Sequence, residues 1–225
     1  MKINKFPKRV TVELTNSCNL ACKFCPGNYL KEVPKGFMGE GLFKKIIDEI
    51  AEARNITLVP FFRGESLLHP EFKEFIDYAK SKKIKSIQIA TNGTLLDSET
   101  AECILNSSLS FISFSLDAPD KKTYESLRIN SSYEDVIKNV ERFINLRKSM
   151  RKKLPVTQVS AVRTAENKNL VNDFVDRWID SVDRVRVYKE HSQGGKFGII
   201  KGSKKSLKRK PCKKLFEDMV IYWDG

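Results

Sequence analysis

The chain has 225 residues, 41 Lys and Arg against 28 Asp and Glu, a formal net charge of +13, and 40% hydrophobic and 31% charged residues. This length suits one domain, or one plus a fragment, with enough apolar material for a sizeable core. No apolar run is long enough to span a bilayer and the first ten residues lack the apolar segment of a secretory signal, so the composition predicts a cytoplasmic protein without a membrane partner.

In chain order, strand one is expected at 10–15, where Val12 and Leu14 alternate with Thr11, Glu13 and Thr15. Cys18, Cys22 and Cys25 follow on a loop. A helix over 40–53 places Leu42, Ile46, Ile47 and Ile50 on one face. Strand two (56–62), a helix (71–82), strand three (86–91) and a helix opened by Asp97 (97–106) come next. Strand four (111–117), helices over 121–128 and 132–150, strand five (156–162), a helix over 167–180 and strand six (185–190) complete the pattern. Ser132 is the expected N-cap of the 132–150 helix.

The repeated βα order predicts an α/β protein with a parallel sheet. A strand covered by helices on both sides is apolar on both faces, and these strands alternate. Ile112, Phe114 and Leu116 stand against Ser113, Ser115 and Asp117, and Val185 and Val187 against Arg186, Tyr188 and Glu190. One face meets helices and the other is polar, which points to a partial, TIM-like (β/α)6 barrel whose open interior holds ligand. Site residues then belong at the carboxyl ends of the strands. The predicted organisation is a barrel core over 1–198, a basic loop over 199–210 and a short C-terminal extension over 211–225 that contains one more strand.

The chain has five cysteines, three of them within eight residues, too close for a mutual disulfide framework. In a reducing compartment the cluster reads as metal ligation. Three thiolates are one short of the usual four ligands for a structural zinc or a cubane cluster. The fourth position is open to Cys212, Cys103, a histidine or a small molecule, although Cys103 sits in a helical stretch and reads as core.

The spacing Cys18-x3-Cys22-x2-Cys25, with Phe24 before the last cysteine, resembles the CxxxCxΦC motif of the radical S-adenosylmethionine (radical SAM) superfamily. The resemblance implies that Cys18, Cys22 and Cys25 bind a 4Fe-4S cluster whose fourth iron is chelated by the amino and carboxylate groups of SAM. Phe62-Arg63-Gly64-Glu65-Ser66 is similar to the family's GGEP segment, which implies contact between Gly64, Glu65 and Ser66 and the SAM amino group. Arg63 and Ser66 depart from that pattern, replacing its first glycine and its proline. Thr91-Asn92-Gly93 and Ser115-Leu116-Asp117 are similar to segments beside the methionyl and ribose parts, Arg128 to an arginine near the SAM carboxylate, and Asn167 to an asparagine after strand five.

The implied chemistry is reductive cleavage of SAM to a 5′-deoxyadenosyl radical and hydrogen abstraction from a substrate, either peptide modification or oxidation of a sugar or cyclitol alcohol. Tyr188, Glu190 and His191, at the end of strand six, are candidate catalytic groups that accept a proton released on oxidation, with Arg186 beside them as a substrate-pocket residue. Residues 201–210 carry six basic groups and no acid, which reads first as a solvated loop and otherwise as a surface for an acidic substrate, nucleic acid or an electron-donor protein such as flavodoxin. Cys212 and Gly225, twelve residues intervening, are similar to the start of the SPASM or twitch extension, so ligands for a single cluster are expected here. The alternative from another class is a non-catalytic basic protein with a zinc site at Cys18, Cys22, Cys25 and Cys212 that contacts nucleic acid. Residues 201–210 contain no aromatic residue for base stacking, which makes nucleic acid the weaker partner.

Overall fold

The structure, a computed structural model, describes residues 6–28, 32–53, 55–190 and 212–225. Its elements follow the expected alternation. They are β1 (Arg9–Val12), α1 (Glu40–Ala53), β2 (Thr57–Val59), α2 (Phe72–Ser81), β3 (Ser86–Thr91), α3 (Ser98–Asn106), β4 (Phe111–Ser115), α4 (Lys121–Leu127), α5 (Tyr133–Ser149), β5 (Val156–Arg163), α6 (Val171–Trp178), β6 (Arg184–Lys189) and β7 (Asp218–Ile221). The seven strands form one sheet in the order β6-β5-β4-β3-β2-β1-β7, every pair parallel, with β6 and β7 as edges. It is an unclosed α/β barrel.

The core lies between the outer sheet face and the helices. Val10, Val12, Leu58, Ile87, Ile89, Ile112, Phe114 and Val159 are buried against Phe43, Ile47, Phe75 and Phe143. Phe43 of α1 and Phe75 of α2 stack with centroids 4.1 Å apart, which locks the two helices together. Helix starts are set locally: the carboxylate of Asp97 accepts the Thr100 N–H and the hydroxyl of Ser132 accepts the Asp135 N–H. The inner face is polar as the alternation predicts. Gln158 donates to Ser113 at 3.0 Å, and Ser113 donates to the Ser160 hydroxyl at 3.2 Å.

Four expectations shift. Strand two stops at Val59, before Pro60, because proline has no N–H for the ladder. The helix expected over 167–180 starts only at Val171, because the Asn167 side chain closes a turn on the Thr164 N–H instead. Strand six is a partly exposed edge, with Val185 and Val187 only half-buried. The final strand joins the barrel sheet itself: β7 pairs with β1 from Arg9↔Asp218 to Val12↔Ile221. The basic stretch 201–210 and His191 lie outside the described residues. Among the described residues no helix is long and apolar enough to cross a membrane.

Candidate active site

The loop after β1 carries the three cysteines and is pinned on both flanks. Thr15 donates to the Gly36 carbonyl and receives the Ser17 N–H, while the Asn16 side chain bonds the backbone of Pro34 and Gly36. On the other flank, the amides of Ala21 and Lys23 donate to the carbonyls of Ile129 and Leu127 at the end of α4, each at 3.0 Å. Cys18 is exposed, Cys22 buried and Cys25 intermediate. Burial pushes the Cys22 thiol up to about 11; Arg128 opposes that rise, and Cys25, Asp117 and Cys18 add to it. Phe24 is half-buried on the same loop.

The turn after β2 packs directly on this loop. A Cβ at Gly64 would lie 2.3 Å from the Thr15 carbonyl oxygen and 2.4 Å from that of Ser17, so only glycine fits. Next to it, the Glu65 N–H donates to the Ser17 carbonyl at 2.9 Å. The buried Glu65 carboxylate accepts the Asn92 N–H at 2.8 Å and the Leu67 N–H at 3.2 Å. Burial raises its pKa, while these amides and the Thr91 hydroxyl pull it down. The buried Ser66 donates its hydroxyl to the Pro60 carbonyl at 2.7 Å.

Asn92 and Arg128 link the turn and the strand ends to the sulfurs. The Asn92 amide group donates to Asn19 at 2.9 Å and lies 3.9 Å from Cys18 Sγ. Arg128 donates through Nε to Asp117 Oδ2 at 2.6 Å, and its Nη1 lies 3.9 Å from Cys22 Sγ. Asp117, at a positive φ of 66°, also accepts the Val162 N–H at 2.6 Å, and its carbonyl accepts from Asn167 at 2.7 Å. Two connected chains therefore meet the cysteines: Glu65 to Asn92 to Cys18, and Asn167 to Asp117 to Arg128 to Cys22.

Ser115 lies farther along the inner wall, half-buried, in register with Ser160. Tyr188 is 44% exposed on the edge strand, its hydroxyl 3.5 Å from the Gln158 amide, and Glu190 follows β6 half-buried. Neither is hydrogen-bonded to the cysteine network among the described residues. Sequence reasoning missed the partner of Glu13. Its fully buried carboxylate takes Arg63 Nε and Nη2, each at 2.7 Å. An acid on an inward strand position demands such a partner, and the arginine in a glycine's place was the signal.

Among family models, the Radical SAM superfamily matches residues 12–157. The chain belongs to the radical SAM superfamily. Radical SAM proteins use a 4Fe-4S cluster and SAM. The chain is 33% identical over 130 residues to the antilisterial bacteriocin subtilosin biosynthesis protein AlbA of Bacillus subtilis, covering 56% of this chain and 28% of that one. It is 27% identical over 168 residues to the mycofactocin maturase MftC of Mycolicibacterium smegmatis, covering 75% and 41%. Among solved structures, Streptococcus suis SuiB bound to its precursor peptide SuiA superposes with a TM-score of 0.71 at 22% identity, covering 89% of this chain and 43% of that one. The chain spans less than half the length of these relatives.

The residues present fit the radical SAM cofactors. The three cysteines share one short, pinned loop, and N–H groups of Asn92 and Arg128 reach two of the sulfurs, the kind of donor that stabilises an anionic cluster. The Gly64 turn lies flush against the loop with an acidic group behind it, where an ammonium would be paired. Nothing in the comparisons favours the nucleic-acid reading.

Proposed function

We propose that this chain is the catalytic core of a cytoplasmic radical SAM enzyme of the SPASM or twitch subgroup that abstracts hydrogen from a peptide substrate. The observation that carries the reading is the pair of hydrogen-bonded chains that end on Cys18 and Cys22. When bound, the cluster and SAM supply one-electron reductive cleavage to methionine and a 5′-deoxyadenosyl radical, the agent that removes the hydrogen atom.

This chain's residues then bind, orient and shield. Gly64 and Glu65 take the SAM amino group, Arg128 the carboxylate, and Asn92, Ser115 and Asp117 flank the remainder. Arg128 is held for this by Asp117, so its charge is aimed before ligand arrives. Tyr188 and Glu190 stand at the substrate end, where the Glu190 carboxylate accepts the proton released when a carbon is oxidised. His191 shares that assignment and lies outside the described residues. Cys212 opens the SPASM- or twitch-like extension while β7 completes the barrel sheet, and residues of this chain furnish one cluster.

The likeness to AlbA, MftC and the peptide-bound SuiB supports a peptide substrate. A second reading, oxidation of a sugar or cyclitol alcohol, is favoured by the hydroxyl and amide ladder of Ser113, Gln158 and Ser160 on the inner wall. The electron donor in either case is an acidic protein such as flavodoxin.

The test is anaerobic reconstitution with iron and sulfide, then incubation with SAM and dithionite, with Cys22→Ala as control. Brown protein with about four irons per chain, forming 5′-deoxyadenosine only with Cys22 intact, is the expected result. Colourless zinc protein without 5′-deoxyadenosine overturns the reading. Candidate peptides and polyols then separate the two substrate classes by which one raises 5′-deoxyadenosine formation and changes mass.

A further inference from the structure

Arg63 stands where the family segment has its first glycine, and its Nε, Nη2 and backbone N–H converge on one neighbour. Glu13 Oε1 accepts both Nε at 2.7 Å and the Arg63 backbone N–H at 3.3 Å, while Oε2 accepts Nη2 at 2.7 Å. Side chain and backbone of one residue are thus fixed on one carboxylate. That carboxylate is fully buried, and the arginine is 18% exposed. A buried ion pair adds little net stability over an apolar pair of the same shape. A forked guanidinium–carboxylate pair does add a defined orientation.

The guanidinium also lies over the Tyr222 ring, 4.4 Å from its centroid, and Tyr222 is the residue after β7. Glu13 reaches the same strand end through its backbone, its N–H donating to the Ile221 carbonyl at 2.9 Å. Residue 63 immediately precedes Gly64, and the position of a Gly27 Cβ lies 3.6 Å from the Arg63 carbonyl oxygen and 3.5 Å from Cys25 Sγ. The turn is therefore bounded by the cysteine loop on one side and by Glu13 and Tyr222 on the other.

We propose that Glu13, Arg63 and Tyr222 form a positioning clamp for the SAM-binding turn, so that seating of β7 against Arg63 strengthens SAM binding at Gly64 and Glu65. The clamp rests on the reading of that turn as the site of the SAM amino group. Arg63 is a positioning residue that acts through the backbone of the turn. The C-terminal strand, remote in sequence from the cysteine motif, thereby becomes part of the cofactor site.

The experiment is equilibrium dialysis of labelled SAM against the reconstituted holoprotein, with iron content and thermal melting measured on every variant. Loss of a guanidinium–ring contact corresponds to roughly three- to tenfold weaker SAM binding for Tyr222→Leu. Tyr222→Phe keeps the ring and is expected to bind within about twofold of wild type. The double variant Glu13→Gln with Arg63→Met removes both charges together, avoiding an orphaned buried carboxylate, and is expected to weaken SAM binding at native iron content. Wild-type affinity in both Tyr222→Leu and the double variant overturns the clamp, as does a lowered melting temperature with unchanged affinity in Tyr222→Leu. Glu65→Gln separates the two layers: if it too leaves affinity unchanged, the amino-group assignment fails and not the clamp alone.

Discussion

At Gly64 the substitution that decides the site is the smallest one. An alanine there would drive its Cβ into two backbone carbonyls, neither of which can swing aside as a side chain can. Gly64→Ala is expected to destabilise the fold by about 1–3 kcal/mol and to abolish SAM binding, which thermal melting and dialysis read separately. Asp117 behaves differently because its partner is buried and charged. Asp117→Ala leaves Arg128 unpaired and is expected to lose about 3–5 kcal/mol in denaturant unfolding, whereas Asp117→Asn keeps an acceptor and tolerates the positive φ, so it loses less. His69 gives a pH signature. Its Nδ1 accepts the Glu71 N–H and its Nε2 donates to the Met38 carbonyl, and burial holds its pKa below the usual 6.5. The unfolded chain then binds a proton before the native state does, so the contribution of His69 to stability is level above about pH 6.5 and is lost as pH drops below it. His69→Gln is expected to reduce that acid-side slope in melting curves between pH 7 and pH 5.

Among the elements, the turn between β5 and α6 shows how one side chain joins strand ends. Asn167 accepts the Thr164 N–H at 2.7 Å and donates to the carbonyls of Asp117 and Val162 at 2.7 and 2.8 Å. Asn167→Ala leaves buried backbone groups unpaired and is expected to lower stability by about 2 kcal/mol, read as a drop in the urea midpoint. Asn167→Asp keeps the acceptor and loses both donors, so it also weakens the turn and loosens the loop that holds Arg128. The edge strands show where alternation misleads. The β6 pattern Val185 and Val187 against Arg186 and Tyr188 reads like the other strands, yet among the described residues one side of that strand pairs with no neighbour. Whether an alternating strand is central or at an edge depends on the order of strands, which the pattern of one strand does not encode.

For the whole molecule, the excess of 13 positive charges sets how partners arrive. An acidic donor protein is steered by such a field, and screening shortens its reach to about 10 Å at 0.1 M salt. Reduction by flavodoxin is therefore expected to slow by at least about tenfold between low and high ionic strength, measured by stopped-flow spectroscopy, while reduction by dithionite, a small dianion, follows a shallower slope.

Much of this protein is decided by the chain alone. The alternation of period-two strands with period-3.6 helices determines the parallel α/β barrel, because each pattern buries one face and only one layering covers both. The spacing of the three cysteines with Phe24 is enough to point to the family and its cofactors, since motif spacing within one loop is a local property. Asp97 and Ser132 as caps, and Gly64 as the turn glycine, are local in the same sense. What only the tertiary structure decided is long-range pairing: Glu13 with Arg63, Arg128 with Cys22, and β7 beside β1. Those contacts join residues far apart in the chain whose types are compatible with many partners, and only the order and register of the strands select one.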